Sequence, residues 1–566
     1  MRFANLFGQI MFNFHRSLCA LLAALLLTAC VAATAAPVET PTLAPSPTLT
    51  PTPHATVPTP VPIGPWWRDV VFYEIFVRSF KDSDGDGIGD FNGIIEKLDY
   101  LEQLGVRGLW LMPIHPSPTY HGYDVTDYYA VNPDYGTMDD FKRLLAEARR
   151  RNIRIIIDLV LNHTSARHPW FQKALQGDPV YREWYIWSDK DPGYLGPWNA
   201  KAWHRAGNGQ YYYAIFWDQM PDLNYDNPAV REEAKKITAF WLRDVGVDGF
   251  RLDAIRYLDE DGRILADAET THAFLKEWGA YYRSLNPDAF TVGEVWTDNY
   301  NVAPYVRGGD ELNSAFNFDL SNALLKGLSE GNATLINFVL GATLQLFPEQ
   351  NNANFITNHD MNRIASYVGP DPLGQSRAAA AVLLTAPGIP FIYYGEEIGM
   401  TGVKPDERLR TPMQWTDEPG AGFTTGTPWQ RVNPDYIERN VAAQTGDPAS
   451  LLEHYRSLIA LRNAHPALSR GATVMVKANS RRLVSYLRTH GDEAMLIVIN
   501  VDNEPVSDYE LSLERGPLTG EYKAKALFGF TTEAATLTTN ANGGFEAYTP
   551  TPEIPPYGSL ILLLSR

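Results

Sequence analysis

Apolar segments rich in β-branched and aromatic residues alternate with segments of helical spacing from Trp66 onward. Short apolar segments of this kind predict buried strands, and apolar residues recurring every three or four positions predict amphipathic helices. Strands are predicted at 70–76, 105–111, 153–161, 247–252, 290–295, 312–318, 355–357 and 389–394. Helices are predicted between most of them, including 94–104, 141–151, 229–243 and 268–285. Eight strand–helix alternations predict an α/β fold, a (β/α)8 TIM barrel.

Two stretches depart from this alternation. The connection after the third strand is dense in Trp, Tyr, Gly and Pro and is too long for a simple loop, which predicts a small inserted domain at 164–222. After about Pro466 the helical spacing stops, and short alternating segments predict a C-terminal all-β sandwich domain at 467–566. The barrel is therefore predicted to occupy 64–466.

The first residues predict export from the cytoplasm. Basic residues precede an apolar segment at 18–27, which is too short to span a bilayer as a helix. It ends in Leu27-Thr28-Ala29-Cys30, which resembles the lipobox of bacterial lipoproteins. The resemblance implies a signal peptide at 1–29 and a lipid on the thiol of Cys30. An ordinary signal peptide with a chance cysteine is the alternative, and initiation at Met11 would give a more usual signal length.

Residues 30–63 are mostly Thr, Pro and Ala with almost no charge. Such a segment cannot bury a core and predicts an extended tether. The chain has two cysteines, Cys19 and Cys30, so cleavage before Cys30 leaves no pair for a disulfide within the mature chain. Anchor, tether and globular body together predict a cell-surface protein that meets the membrane only through its lipid.

Composition narrows the choice of partners. The 566-residue chain has a formal charge of −18, which argues against a nucleic-acid partner. Its 14 Trp and 29 Tyr residues supply either a large core or flat rings on which sugars stack. No sequence feature indicates an assembly, and we assume a monomer.

The segment from Gly249 to Asp253 is the first candidate for chemistry. Residues two apart on a strand point to the same face, so Arg251 and Asp253 are expected side by side. A guanidinium in that position keeps a carboxylate ionised and oriented. Such a carboxylate suits nucleophilic catalysis at a sugar carbon. A purely structural Arg–Asp pair is the alternative for an isolated motif of this kind.

Other predicted strands also end in polar motifs. Because the carboxyl ends of barrel strands meet at one end of the barrel, these motifs are expected to converge. A lone histidine in such a motif is more often structural than functional. The motifs are Gly122–Asp124 after the second strand, Asp158–His163 after the third, Gly293–Trp296 after the fifth and Asn358–Asp360 after the seventh.

In this order and spacing, the motifs resemble the conserved regions of the alpha-amylase family of glycoside hydrolases, over about Pro65 to Arg566. The resemblance implies that Asp253 is the nucleophile, Glu294 the general acid/base and Asp360 the transition-state stabiliser. It also implies a set of substrate-binding residues, namely Tyr123, Asp124, His163, Arg251 and His359. Apolar neighbours and nearby carboxylates would raise the pKa of Glu294, as a general acid requires.

The loop after the first strand predicts a metal site. Aspartates at its first, third, fifth and ninth positions, with glycine at the sixth, suit a hard cation with oxygen ligands. The predicted ion is Ca²⁺, and its predicted ligands are Asp82, Asp84, Asp86, the carbonyl of Ile88 and Asp90. Gly93 stands where an EF-hand has its glutamate, so the loop is not an EF-hand. A solvated turn is the alternative, although carboxylates this close repel one another unless a cation binds.

Subfamily features leave the substrate open. Met220–Asn224 resembles a form between the oligo-1,6-glucosidase and neopullulanase types, and Ala254 fits the α-1,4 amylases. Arg256-Tyr257 stands where common alpha-amylases have Lys-His, which leaves a second calcium site near Asn162 undecided.

The mode of attack is equally open. The segment Arg410–Trp415 resembles exo-acting alpha-glucosidases, and an arginine such as Arg363 or Arg410 paired with Asp124 would close one end of a cleft. Surface anchoring favours a polymer as substrate. We predict a retaining endo-enzyme that cleaves α-1,4 bonds in starch-like glucans and maltooligosaccharides. The alternatives are an exo-acting alpha-glucosidase, oligo-1,6-glucosidase or neopullulanase-like enzyme, then a transglycosylase, then a non-catalytic sugar-binding lipoprotein.

Overall fold

The computed structural model describes residues 65–367 and 371–566. The predicted signal peptide (1–29), the predicted tether (30–63) and Cys30 lie outside the described residues. In the part of the chain that is described, no helix has both the length and the apolar character needed to cross a membrane.

Eight parallel strands close into a barrel, which confirms the predicted (β/α)8 fold. Going round the barrel, the order is β1-β2-β3-β7-β8-β9-β10-β11 and back to β1. The first eleven strands are β1 (Phe72–Ile75), β2 (Gly108–Leu111), β3 (Arg154–Leu159), β4 (Trp187–Ser188), β5 (Trp203–Arg205), β6 (Tyr211–Tyr213), β7 (Gly249–Leu252), β8 (Phe290–Gly293), β9 (Ser314–Phe316), β10 (Asn352–Phe355) and β11 (Ile389–Tyr393).

Helices cover the outside of the barrel and connect its strands. The helix that begins at Met138 has a capping box, in which the Thr137 hydroxyl accepts from the Asp140 backbone N–H while the Asp140 carboxylate accepts from the Thr137 N–H. The α-helices are Val77–Phe80, Phe91–Glu96, Leu98–Leu104, Met138–Arg150, Pro169–Leu175, Pro179–Arg182, Pro228–Ala239, Glu269–Leu285, Asn299–Val302, Phe318–Glu330, Thr334–Leu346, Pro372–Thr385, Val441–Gln444, Leu451–Ala464 and Pro466–Arg470. A π-helical turn, Phe240–Val245, continues the helix that begins at Pro228.

The seventh barrel strand lies earlier in the chain than predicted. The apolar pattern indicated 355–357, whereas β10 begins at Asn352. Its two asparagines are buried because their amides bond to each other and to the chain: Asn352 Nδ2 lies 2.7 Å from Asn354 Oδ1, and Asn354 Nδ2 lies 2.8 Å from the Pro387 carbonyl. Ala353 and Phe355 pack with residues of other barrel strands in one core, so the two asparagines point to the opposite face of the sheet, where paired amides take positions that the hydrophobic pattern assigns to apolar residues.

The long connection after β3, for which a small inserted domain was predicted at 164–222, contains a three-stranded sheet. Strands β4, β6 and β5 pair antiparallel in that order. A small core that includes Trp203 and Tyr213 also contains Ala254 and Tyr257 from the segment after β7. The inserted segment is thereby packed directly against the carboxyl end of the barrel.

The C-terminal strands form two antiparallel sheets, which confirms the all-β prediction. The six-stranded sheet has the order β12-β14-β15-β20-β17-β18, and the three-stranded sheet has the order β13-β16-β19. The strands are β12 (Ala472–Met475), β13 (Lys477–Ala478), β14 (Leu483–His490), β15 (Glu493–Asn500), β16 (Leu511–Arg515), β17 (Glu521–Phe528), β18 (Leu537–Thr538), β19 (Gly543–Tyr548) and β20 (Ser559–Ser565).

The larger sheet is apolar on both faces. Leu496 and Val498 on β15 belong to the core between the two sheets, whereas Ile497 and Ile499 belong to the barrel core. The period-two alternation of a strand sends successive side chains to opposite faces. The six-stranded sheet therefore packs against the barrel core on one face and against the core of the C-terminal domain on the other.

Candidate active site

Arg251 on β7 binds three carboxylates at the carboxyl end of the barrel. Its Nη1 lies 2.8 Å from Asp158 Oδ1 and 2.6 Å from Asp253 Oδ1, and its Nη2 lies 2.7 Å from Glu294 Oε2. The Arg251 side chain is 1% exposed. Strands β3, β7 and β8 are neighbours in the barrel, so residues far apart in sequence share one guanidinium. Charge-assisted bonds of this kind fix the carboxylates in place.

The backbone after β7 adds a second donor to Glu294. Ala254 has φ 50°, in the left-handed region, where the chain turns out of the strand. In this conformation its N–H donates to Glu294 Oε2 at 3.1 Å. The turn that carries Asp253 therefore also orients the Glu294 carboxyl.

The carboxyls of Asp253 and Glu294 have raised but different pKa values. Burial raises the pKa of Asp253 to about 6, although the positive charge of Arg251 opposes the rise. Burial also raises the pKa of Glu294 to about 7, again opposed by Arg251 and reinforced by the charge of Asp253. Between these values Asp253 is ionised while Glu294 holds its proton.

Asp360 is held between two cations. Its Oδ2 lies 3.2 Å from His359 Nε2, and its Oδ1 accepts from Arg410 Nη2 at 2.7 Å. Burial alone would raise the pKa of Asp360, but the charges of His359 and Arg410 outweigh it and hold the pKa far below its usual value. Asp360 is therefore an anion throughout the ordinary pH range.

Tyr123 and His163 complete this end of the barrel. The Tyr123 hydroxyl lies 2.7 Å from His359 Nε2 and donates to Asp158 Oδ2 at 3.2 Å. The His163 ring lies between two oxygens, with Nε2 3.2 Å from the Tyr123 carbonyl and Nδ1 3.0 Å from Asn162 Oδ1. Burial lowers the pKa of His163 to about 3, so its ring is neutral.

These groups open into a central cavity of about 430 Å³. Its lining residues are Tyr120, His121, Tyr123, His163, Trp198, Phe216, Met220, Asp253, Ala254, Tyr257, Glu294, Trp296, Asp360, Asp406 and Arg410. One side is an aromatic wall in which Trp198 packs on Phe216 and Tyr257, with ring centroids 5.2 and 5.4 Å away. Trp198 and Trp296 are 54% and 44% exposed, so their rings are available to a ligand.

Several of these residues escaped the sequence prediction. Phe216 comes from the inserted segment, where aromatic residues are too common for any single one to stand out. Glu74, which contacts His359, has a signal of its own, because it is an acidic residue inside the apolar strand β1. Asp406 offered none, since it lies in a loop with several other charges.

The predicted pairing of Asp124 with an arginine is wrong. Asp124 Oδ1 accepts from the hydroxyls of Ser117 and Thr119. Arg363 is 2% exposed and donates to the carbonyls of Leu409 and Tyr394 at 2.9 and 2.6 Å. Neither Asp124 nor Arg363 lines the central cavity. The hydroxyls of two residues, seven and five positions earlier in the chain, bind the carboxylate, and spacing alone does not show this.

Asn162 is engaged by the protein itself. Its Nδ2 donates to the Tyr257 carbonyl at 2.6 Å, and its Oδ1 faces His163. A carbonyl that accepts this bond and an amide that makes it satisfy each other without a cation. The chemistry of these two groups therefore gives no support to a second calcium site here.

The aspartate-rich loop brings Asp82, Asp84 and Asp86 together. One oxygen from each lies within 4.8 Å of the others, and no other such group of acidic, histidine or cysteine side chains occurs among residues 65–367 and 371–566. Asp90 is not part of this group. Its oxygens accept hydrogen bonds from Ser83 and from the N–H of Gly93, so it caps the next helix. Three converging carboxylates suit a hard divalent cation.

Comparison with known proteins decides the family. A family model for the alpha-amylase catalytic domain matches residues 74–471. The chain belongs to the alpha-amylase family of glycoside hydrolases. Alpha-amylase 3 of Dictyoglomus thermophilum is 44% identical over 443 residues, which cover 77% of this chain and 86% of that protein. The oligo-1,6-glucosidase of Parageobacillus thermoglucosidasius is 35% identical, with coverage of 77% and 90%.

Solved structures of other proteins match most of this chain. The alpha-amylase from H. orenii has a TM-score of 0.76 at 38% identity, covering 88% of this chain and 100% of that one. The trehalulose synthase MutB from Pseudomonas mesoacidophila MX-45 has a TM-score of 0.77 at 32% identity, with coverage of 89% and 100%. The structures similar to this chain therefore include one named an alpha-amylase and one named a trehalulose synthase.

Proposed function

We propose that this glycoside hydrolase cleaves internal α-1,4-glucosidic bonds of starch-like glucans and maltooligosaccharides, with retention of configuration. Asp253 is the nucleophile, Glu294 the general acid/base and Asp360 the stabiliser of the transition state. The separation of ionisation between Asp253 and Glu294 supports these roles, because retaining hydrolysis needs one ionised and one protonated carboxyl.

In the first step, an oxygen of Asp253 attacks the anomeric carbon while Glu294 gives its proton to the departing glycosidic oxygen. Arg251 holds Asp253 Oδ1 and Glu294 Oε2, so the other oxygen of each carboxyl is left for the sugar. In the second step, Glu294 takes a proton from water, and the resulting hydroxide displaces Asp253. Asp360, anionic at all relevant pH values, stabilises positive charge on the sugar ring.

The exposed aromatic rings carry the proposal of an endo mode. An endo-enzyme binds sugars on both sides of the bond it breaks, and the partly exposed rings of Trp198 and Trp296 line the same cavity as Glu294. Aromatic faces stack on the apolar face of a sugar ring. The Asp124–arginine pair that would have closed one end of the cleft does not form, since Asp124 bonds to Ser117 and Thr119.

An exo-acting alpha-glucosidase is the second candidate. Arg410 Nη2 lies 3.7 Å from Asp406 Oδ2, and both residues line the cavity. A carboxylate and a guanidinium together can bind the terminal hydroxyls of a non-reducing glucose. The similarity to an oligo-1,6-glucosidase and to the trehalose-6-phosphate hydrolase of Escherichia coli, 36% identical, favours this alternative.

A product time course on soluble starch, maltotriose, isomaltose and pullulan separates the two. We expect iodine staining of starch to fall rapidly while few reducing ends form, with maltose and longer maltooligosaccharides as early products. Glucose as the sole early product, with staining lost slowly, would establish the exo mode. The Asp406→Asn variant is the matched test, because it should leave the endo pattern unchanged and should impair an exo-enzyme.

We also propose Ca²⁺ at the loop after β1, held by Asp82, Asp84 and Asp86 with the carbonyl of Ile88; Asp90 then orders the loop by capping the next helix. The close approach of the three carboxylates supports this. The loop packs against the segment around Thr424, which donates to Asp82. The ion is expected to be structural, since none of these aspartates lines the central cavity.

Finally, we propose that the protein is lipid-anchored at Cys30 and faces the outside of the cell, as a monomer. The support is the Leu27–Cys30 motif and the nearly uncharged tether that follows it. Wild-type protein should partition with membranes, and Cys30→Ser should release it. The Cys19→Ser variant is the control, because that residue precedes the cleavage site. Unlipidated wild-type protein found wholly in the soluble fraction would refute the anchor.

A further inference from the structure

Arg256 connects the turn after β7 with the loop after β8. Its Nη1 donates to the Trp296 carbonyl at 2.7 Å. Arg256 lies in the short helical turn Ile255–Tyr257, just after the proposed nucleophile Asp253. Trp296 follows the proposed general acid/base, Glu294, by two residues. One hydrogen bond therefore joins the two loops that follow the reacting carboxyls.

Asp267 fixes the Arg256 guanidinium in turn. Arg256 Nε donates to Asp267 Oδ1 at 3.2 Å, and its Nη2 donates to Asp267 Oδ2. The backbone joins the same two residues, because the Asp267 N–H donates to the Arg256 carbonyl at 2.8 Å. The hydroxyl of the buried Tyr305 adds a bond of 2.8 Å to Asp267 Oδ1. A planar guanidinium that is held by both oxygens of one carboxylate keeps a single orientation.

The guanidinium of Arg256 is engaged by the protein rather than open to a ligand. Each of its three nitrogens donates either to Asp267 or to the Trp296 carbonyl, and the side chain is 15% exposed. Arg256 does not line the central cavity, whereas its neighbours Ala254 and Tyr257 do. Any effect of Arg256 on a bound sugar is therefore expected to pass through Trp296.

Trp296 offers a supported aromatic surface to the central cavity. Its ring stacks on Phe318, with the ring centroids 4.7 Å apart and 12° between the planes, so one face of the ring is covered. Trp296 nevertheless lines the cavity and is 44% exposed. Phe318 supports the ring while Arg256 holds the backbone. A side chain that is fixed beforehand loses little freedom when a ligand binds to it.

We propose that Arg256 and Asp267 are positioning residues, which hold Trp296 as the platform for the first sugar of the leaving group. This inference rests on the proposed function, in which Glu294 gives its proton to the departing glycosidic oxygen. The leaving sugar then lies on the Glu294 side of the broken bond, and Trp296 is the aromatic residue of the cavity nearest to Glu294 in the chain. Aromatic rings pack on the apolar face of a sugar. The pair thereby favours substrates with a glucose unit beyond the broken bond.

Two substrates that differ in their leaving group test the proposal on the full-length enzyme. α-Maltosyl fluoride has no sugar beyond the bond that breaks, whereas maltopentaose has, so a platform for the leaving sugar matters only for maltopentaose. Arg256→Met keeps the apolar stem and removes the guanidinium. This variant should lower kcat/KM on maltopentaose about tenfold and leave kcat/KM on α-maltosyl fluoride within about twofold.

A double variant shows whether Arg256 acts through Trp296. Trp296→Ala alone should lower kcat/KM on maltopentaose at least as much as Arg256→Met does. Because Arg256 then has no platform to hold, adding Arg256→Met to Trp296→Ala should cost no more than about a further twofold. Losses that multiply in the double variant would mean that Arg256 acts on the sugar without Trp296, and would overturn the proposal.

Arg283→Met is the matched control. Arg283 also donates to a backbone carbonyl, that of Glu311 at 3.1 Å, but it lies in the last turn of the helix Glu269–Leu285 and does not line the central cavity. This variant should leave kcat/KM on both substrates within about twofold. If Arg256→Met fails to fold, Asp267→Asn takes its place and must show the same selective loss, because asparagine also tolerates the φ of 56° found at Asp267.

Three further outcomes would overturn the proposal: an equal loss on both substrates, an unchanged kcat/KM on maltopentaose, or the same selective loss in Arg283→Met. A wild-type enzyme that hydrolyses neither substrate would instead refute the proposed function, so the two failures are distinct.

Discussion

Glu74 Oε1 on β1 lies 2.5 Å from Nδ1 of His359, the residue before Asp360. Burial alone would lower the pKa of His359, but the charges of Asp360 and Glu74 raise it to about 9. The imidazole is therefore a cation at neutral pH, with Nδ1–H directed to Glu74 and Nε2–H directed to Asp360 and the Tyr123 hydroxyl. Glu74 does not line the central cavity, yet it sets the charge beside Asp360.

We expect Glu74→Gln to lower the pKa of His359 toward its ordinary value of about 6.5. Above the new pKa, His359 becomes neutral and Asp360 loses one cation, so kcat/KM should fall about tenfold at pH 8. At pH 5.5 the imidazole is still protonated and the loss should be much smaller. An NMR titration of His359 alongside the pH–rate profile measures both effects.

Glu397→Gln is the control for this experiment. Glu397 is a buried glutamate that accepts from the hydroxyls of Tyr73 and Tyr100, away from His359. It should change stability without moving the His359 titration. An unaltered pKa of His359 in Glu74→Gln would contradict the positioning role.

The pH dependence of the wild-type enzyme follows from two raised pKa values. Asp253 must be ionised to attack, and protonation below about pH 6 removes that form. Glu294 must carry its proton, and ionisation above about pH 7 removes it. We expect a bell-shaped profile of kcat/KM on maltooligosaccharides with a narrow maximum between these values. A flat profile from pH 5 to 9 would exclude this pair as acid and nucleophile.

Replacing the nucleophile should nearly abolish turnover. Asp253→Asn keeps the shape of the side chain but cannot form the glycosyl ester, so kcat should fall on the order of 10⁴-fold or more. Asp248→Asn is a matched control at the other end of β7, where the carboxylate accepts from the Ile155 N–H. That variant should cost stability and leave kcat within about tenfold. Activity of Asp253→Asn within the same range would refute the assignment.

Removal of calcium should lower the thermal stability. An ion that binds only the folded chain raises the melting temperature, so chelation should reduce it by several degrees. Asp84→Asn should reproduce that shift and make the protein insensitive to chelator. Asp139→Asn, at an exposed aspartate in the first turn of a helix, should behave as wild type. Identical melting curves with and without chelator would contradict the metal site.

The sequence predicted the barrel and its convergent strand ends because both depend on local patterns. Apolar segments fixed seven of the eight strands closely, and Arg251 and Asp253 lie side by side as the two-residue strand period requires. β10 was displaced because Asn352 and Asn354 are buried through paired amides. Such pairing depends on neighbours outside the strand, which no local pattern encodes.

Long-range partners were the part that the sequence did not provide. Glu74 and His359 are separated by more than half of the barrel sequence, and the sequence around either residue does not indicate that the two are in contact. Asp124 was expected to pair with an arginine, but its carboxylate accepts hydrogen bonds from the hydroxyls of Ser117 and Thr119. The aromatic wall also depends on a long-range contact, because the inserted segment folds back so that Trp198 packs on Tyr257.

The sheet apolar on both faces has a consequence for protein engineering. A truncated enzyme ending after the helix Pro466–Arg470 would expose the barrel surface that Ile497 and Ile499 now cover. An exposed hydrophobic patch of that kind promotes aggregation, so the truncated protein is expected to form inclusion bodies. Recombinant production, domain fusion and directed evolution of this catalyst should therefore all keep the final strands in place.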